Sequence, residues 1–372
     1  MKKISVITLL NIANYGSVLQ TYATQNVLLN MGYEVEFVDY YRGEKTTQNK
    51  KDYGLKRGLI AIYRRCIGDQ ISKRRKRLVF RDFLTENINL TKHTYHNSTD
   101  LLNDIPQADI YCTGSDQMWN SIWNGGIENA FYLSYVKDKP KFAFSTSIGM
   151  TEFPENELDT IKSLLDEYSF ITVREQSAVD LLQKYGIHAS LVLDPTMMVT
   201  GAFWREFCKK ETERLKTEKY ILVYNLNSTH NVDLENYTKT LSKELKLPIK
   251  IINYGLKVQN KFGQHIFLPS IKEFVALFNN ATYVVTDSFH GLSFCLNLNK
   301  QFSVIYPPRF YTRLQNILRL TGLESRVVSK LTDEIHSSVI DYDKVNEIIN
   351  KERAQSLQLI QGGIAQCAEG MQ

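Results

Sequence analysis

Four short segments of this sequence bring polar, ionisable and glycine residues to points where an apolar run gives way to a helix. The richest is Thr286-Asp287-Ser288-Phe289-His290-Gly291, which follows Tyr283-Val284-Val285. A histidine near a helix start can donate to an anion or move a proton near neutral pH, and His290 is the best placed of the seven histidines. Its neighbours Ser288, Phe289 and Gly291 are candidates for substrate contact. The other histidines, His93, His96, His188, His230, His265 and His336, show no HxH or HExxH spacing, so no metal site is expected.

In Asn14-Tyr15-Gly16-Ser17, Gly16 lets backbone approach a ligand closely and Ser17 can cap a helix. A plain structural cap explains the segment equally well. The full GxGxxG spacing is missing, so a dinucleotide site is not supported. Gly114-Ser115-Asp116 comes off an apolar strand and leads to Trp119. Asp116 can orient a sugar hydroxyl or act as a base, and Trp119 can stack on a sugar ring. The alternative is a turn in which Ser115 and Asp116 bond their own backbone. Arg174 stands at the end of Phe170-Ile171-Thr172-Val173. It can fork onto a carboxylate or phosphate, or pair with Glu175 or another nearby acid. No GxSxG, Walker A or kinase motif is present.

These segments need elements that hold them at one edge. Ile4 to Leu10, a helix to about Asn30, and Val35 to Asp39 form a β-loop-α-β unit, and the alternation continues to Leu193. Asp194-Pro195 marks a boundary, because the residue before a proline favours extended backbone. The rhythm restarts at Tyr220 and runs to Tyr306, with Ser270 and Glu273 set as a capping box before Ile271. The expectation is an α/β protein with two Rossmann-like domains, residues 1–195 and 196–372, facing a cleft. A polar amphipathic helix at about 343–361 belongs to the second. In such sheets ligands bind beyond the carboxyl ends of strands, where helix starts carry about half a positive charge.

A chain of 372 residues is long enough for two cores. Its 45 Lys and Arg against 40 Asp and Glu give a mild excess that does not call for nucleic acid. The excess gathers in a helical insert at about 55–84, with Lys56, Arg57, Arg64, Arg65, Lys73 to Arg77 and Arg81. A solvated face explains such a run; contact with the anionic inner face of a membrane is the sharper reading. Five cysteines without a CxxC pair suit a reducing cytoplasm, with Cys112 and Cys295 expected as buried thiols. The apolar run at the N-terminus is too short for a signal peptide, and no stretch is long enough to span a bilayer.

Taken in order, Asn14-Tyr15-Gly16-Ser17, Gly114-Ser115-Asp116, Ser147-Ile148-Gly149, Val173-Arg174-Glu175, Asp194-Pro195 and Asp287-Ser288-Phe289-His290-Gly291 resemble the polysaccharide pyruvyl transferase family. The resemblance covers about Ile4 to Tyr306. It implies a GT-B-like fold, phosphoenolpyruvate as donor substrate without a further cofactor, and a sugar or lipid-linked oligosaccharide as acceptor. It also implies that Arg174 and His290 lie in the donor site; Asp116 is the candidate for positioning or deprotonating an acceptor hydroxyl, and Ser147 a candidate for substrate contact. Many members carry Arg-Leu-His where this chain has Ser288-Phe289-His290, so the arginine of that trio is absent. Ser288 offers a weaker hydrogen bond there, and Arg309, Arg313 or a lysine would have to restore the charge. A nucleotide-sugar glycosyltransferase of the same fold and a non-catalytic carbohydrate-binding protein are the rival readings.

Overall fold

The computed structural model describes residues 1–41, 74–215, 219–227, 233–254, 262–307, 311–328 and 339–369. Most of the basic stretch, residues 55–73, lies outside them, as do Cys66 and Arg309.

Seven strands form the first sheet: β1 (Lys3–Ile7), β2 (Glu34–Tyr40), β3 (Leu90–Tyr95), β4 (Ile110–Thr113), β5 (Lys141–Thr146), β6 (Phe170–Val173) and β7 (Ser190–Leu191). Five form the second: β8 (Ile221–Tyr224), β9 (Ile249–Asn253), β10 (Gln264–Phe267), β11 (Tyr283–Thr286) and β12 (Gln301–Val304). The orders are β3-β2-β1-β4-β5-β6-β7 and β10-β9-β8-β11-β12. Every pairing is parallel. Each order reverses once, between β1 and β4 and between β8 and β11, and connections leave these two places in opposite directions. That divergence opens a crevice at the strands' carboxyl ends. The expected pair of Rossmann-like units is therefore present.

The central strands were legible because they are buried on both faces and read as unbroken apolar runs; β4, β5, β8 and β11 are buried at every position. Neither β3 nor β10 was legible in the sequence. Both are edge strands, each paired on one side only, and their partly exposed residues, Leu-Thr-Lys-His-Thr-Tyr and Gln-His-Ile-Phe, lack that run.

One helix cap differs from expectation, and another start is now located. Asn14, not Ser17, caps the helix Tyr15–Asn30, its side chain accepting from the N–H groups of Gly16 and Ser17. Ser288 caps the helix Phe289–Asn297 by accepting from the N–H of Gly291, so that helix opens one residue before His290. The capping box of Ser270 and Glu273 forms as expected.

The final helix, Tyr342–Glu369, is longer than its polar pattern indicated. Its early part packs with the second unit: the Tyr342 hydroxyl donates to the Cys295 carbonyl at 3.2 Å. Farther along it returns to the first: the Leu193 N–H donates to the Ser356 hydroxyl at 3.0 Å, and a Cβ on Gly363 would lie 2.6 Å from the Phe170 ring. One apolar core accordingly runs through both units, from Val6 and Phe142 through Leu222 and Phe302 to Ile360 and Ile364. Burying each such side chain contributes roughly 1.5–3 kcal/mol. Cys112, Cys208, Cys295 and Cys367 are buried free thiols. Among the described residues no helix is long and apolar enough to cross a membrane.

Candidate active site at the meeting of the two sheets

The carboxyl-end loops of the two sheets touch. The helix Tyr15–Asn30 leaves β1 and starts opposite the helix Phe289–Asn297, which leaves β11. A Cβ on Gly16 would fall 2.0 Å from Nδ1 of His290, so the imidazole lies directly on that glycine. Tyr15, expected at a ligand, is instead sealed into the joint. Its hydroxyl donates to the Pro269 carbonyl at 2.6 Å and its N–H donates to the Tyr254 hydroxyl at 2.9 Å. Its ring stacks on Phe274 with centroids 4.2 Å apart. An aromatic ring filling a dry interface binds the two units rather than a substrate.

Beside this joint lies a buried ionic network. Arg174, at the end of β6, donates through Nη1 to Asp194 at 2.6 Å and Ser115 at 3.1 Å, and through Nη2 to Asp116 at 3.2 Å. Glu175 stands farther off, 3.9 Å from Nε. The Arg174 side chain is 0% exposed. The sequence left open whether Arg174 grips a ligand or an internal acid. Here its fork is occupied by Asp194 and Asp116, and sequence reasoning had named neither as its nearest partner.

Asp116 follows β4 with φ at +86°, a conformation that costs a non-glycine residue on the order of 1–3 kcal/mol and is held by its surroundings. Its carboxylate accepts from the Gln117 N–H, the Ser17 hydroxyl and Arg174. Burial would raise its pKa, but Arg174, His290 and the Ser17 hydroxyl outweigh burial and hold it below the usual carboxylate value. Asp194, which caps the short helix Pro195–Met198, is held low in the same way, by Arg174, His290 and Thr196 against burial. Both acids stay ionised at neutral pH. Glu175 gathers the Ser147 hydroxyl at 2.7 Å and the N–H groups of Ile148 and Gly149 at 2.9 and 3.1 Å. Ser147 therefore fastens the loop after β5.

His290 is 8% exposed, and its Nε2 has no hydrogen-bond partner; Asp194 is nearest of the acids at 3.8 Å. Burial drives its pKa down to about 4, against the opposing pull of Asp194. The ring is neutral at physiological pH. Phe289, next to it, lies between two guanidinium groups, Arg174 at 5.5 Å and Arg313 at 5.7 Å from its ring centroid.

Other expected site residues prove to be scaffold. Trp119 does not face a sugar. It is fully buried, donates from Nε1 to the Phe131 carbonyl at 3.1 Å and stacks on Tyr132, because the chain after Asp116 turns its apolar residues inward. Ser288 spends its hydroxyl on the helix cap. Gly114 and Gly291 allow close approach of backbone, since a Cβ would come within 3.1 Å of Thr8 and 2.3 Å of the Thr286 hydroxyl respectively. Asp287 accepts from the N–H groups of Leu226 and Asn227 at 2.7 and 2.9 Å, fixing the loop after β8. Sequence reasoning missed that role, as it missed Tyr254 and Asp194 as members of the site. Of these only Asp194 carried a local signal, through its proline.

Two doubly wound parallel sheets joined at their carboxyl ends make this a GT-B-like protein. The UDP-GlcNAc 2-epimerase from Neisseria meningitidis bound to UDP-GlcNAc shares the fold with a TM-score of 0.53 at 11% identity, over 98% of this chain and 100% of that one. The Methanocaldococcus jannaschii UDP-GlcNAc 2-epimerase in complex with UDP-GlcNAc and UDP gives 0.50 at 14% identity, over 95% and 94%. No curated protein is significantly similar in sequence. The model of the polysaccharide pyruvyl transferase family matches residues 14–308, and the chain belongs to that family. Membership makes it a transferase.

Proposed function

We propose that this protein moves the pyruvyl group of phosphoenolpyruvate onto two hydroxyls of a sugar, free or lipid-linked, in a surface-polysaccharide precursor, forming a cyclic ketal. The observation that carries this reading is His290: an unpartnered imidazole nitrogen, set at a helix start and facing two ionised acids across the joint of the sheets. The second unit would hold the donor and the first the acceptor.

The chemistry sets definite demands. The methylene carbon of the enol takes a proton and becomes a methyl group. The first sugar hydroxyl adds to the adjacent carbon and loses its proton. The carbon–oxygen bond to phosphate then breaks, the second hydroxyl adds, and its proton leaves. Two protons are released, one replaces that taken by carbon, and the other departs with phosphate. In this scheme His290 donates to the enol or to the leaving phosphate. Asp116 accepts from an acceptor hydroxyl and orients it, and Arg174 positions Asp116 and Asp194. Ser17 and Ser115 complete that edge through their hydroxyls.

Two measurements test the reading. Thermal-shift assays should show stabilisation by phosphoenolpyruvate and none by UDP-sugars; the reverse result would favour a nucleotide-sugar glycosyltransferase. Phosphate release should require an acceptor, and His290→Ala should slow it by roughly 100-fold or more. Turnover near wild type in that variant would remove His290 from the reaction.

A further inference from the structure

Charge at the joint is out of balance. Among the described residues the acids are Asp116, Asp194 and Glu175; against them stand Arg174, whose Nη1 and Nη2 are engaged by Asp194, Ser115 and Asp116, and Arg313. Arg313 lies on the helix Thr312–Thr321, partly buried, over Phe289. Its charge is felt by Arg174, Asp116, Asp194, Glu175 and His290. Among the described residues it makes no ion pair or hydrogen bond. Within those residues its guanidinium donors are unengaged, whereas Arg174 leaves only Nε without a hydrogen bond. His290 has its free Nε2 in the same place, at the start of the nine-residue helix Phe289–Asn297.

We propose that Arg313 and His290 form one anion seat, and that an anion fills it together with a proton taken up by His290. The inference rests on reading this site as one for an anionic donor. The physical reason is electrostatic. Among the described residues, three carboxylates and two guanidinium groups leave a formal excess of negative charge, which opposes a phosphate or carboxylate. Protonating the imidazole removes that excess and supplies a second charged donor beside the Arg313 fork. The groups that face His290 are Asp194, Arg174, Asp116 and Arg313 from four different segments, with uncharged Gly16 from a fifth. Its neutrality in the closed site follows from burial. A bound anion is the missing partner that reverses this.

The experiment is titration calorimetry of the full chain with sulfate and with phosphoenolpyruvate at pH 7, in buffers of different ionisation enthalpy. Sulfate does not titrate near neutrality, so any proton taken up with it goes to the protein. The expected result is uptake approaching one proton per sulfate, near zero in His290→Gln. Arg313→Gln should weaken both ligands by about tenfold or more, with partial rescue by Arg313→Lys. Binding of phosphoenolpyruvate without proton uptake, and unaffected by Arg313→Gln, overturns the seat while leaving the donor reading intact. Uptake that persists in His290→Gln assigns the proton to a carboxylate and also overturns it. Sulfate binding with the expected proton and arginine dependence, but no binding of phosphoenolpyruvate, upholds the seat and removes the donor. Absence of binding by either ligand overturns both.

Discussion

Arg174 is enclosed by Asp194, Asp116 and Ser115 with no exposed side-chain surface. Replacing it by glutamine removes the charge while the acids stay buried. Such uncompensated charges cost about 3–5 kcal/mol, so Arg174→Gln should lower the urea unfolding midpoint sharply. Arg174→Lys keeps the charge but loses the two-armed fork and should fall between the two. An unchanged midpoint in the glutamine variant would mean the network does not hold the fold. This is a different role from the ligand grip suggested by an arginine at a strand end. A strand-end arginine looks the same in sequence whether its partners are substrate or the protein's own acids, because those acids come from elsewhere in the chain.

At the level of elements, the contact between two helix starts decides where the imidazole sits. Gly16 is the second residue of its helix, and a methyl group there would occupy the space of the His290 ring. Alanine is favoured over glycine in a helix by about 1 kcal/mol. Gly16→Ala should therefore cut activity severely, because His290 must move, while thermal stability falls less than the loss of activity would suggest. Equal activity in the variant would show that the ring's position does not matter for turnover. The strand-to-helix junctions themselves were readable. Apolar runs marked β1, β4, β6, β8 and β11, and glycine, serine and asparagine marked the turns after them. Which residue caps each helix was not readable, because Asn14, Ser17 and Ser288 all have the chemistry for it and backbone geometry chooses.

Across the whole molecule, the buried joint makes stability depend on acid. His290 titrates near 6.5 when unfolded and at about 4 in the fold. Between those values the unfolded chain binds a proton that the folded one does not, so stability falls as pH drops from 6.5 to 4 and is unaffected by this group above 6.5. Asp116 and Asp194, held low in the fold, act in the same direction: their contribution is present above the unfolded carboxylate value and is lost on further acidification. Denaturation measured across pH should show His290→Gln flattening the upper part of this acid limb and leaving the lower part. A wild-type profile with no slope between pH 6.5 and 4 would contradict the burial of a neutral imidazole.

The sequence by itself determined the two α/β units, the order of their motifs and the family, because parallel strands buried on both faces and helices starting at polar turns leave local, periodic signatures. It also singled out His290 as a candidate. Only the tertiary structure decided what His290 faces. The pairing of Arg174 with Asp194 and Asp116, the sealing of Tyr15 against Tyr254 and Phe274, the inward turn of Trp119 and the approach of Arg313 to Phe289 all join residues distant in the chain. Such contacts depend on how two sheets are set against each other, and no local pattern of residues encodes that. The segment Thr286 to Gly291 is the clearest case. Its position at a strand's end was written in the sequence, but the partner across the joint was supplied by the fold.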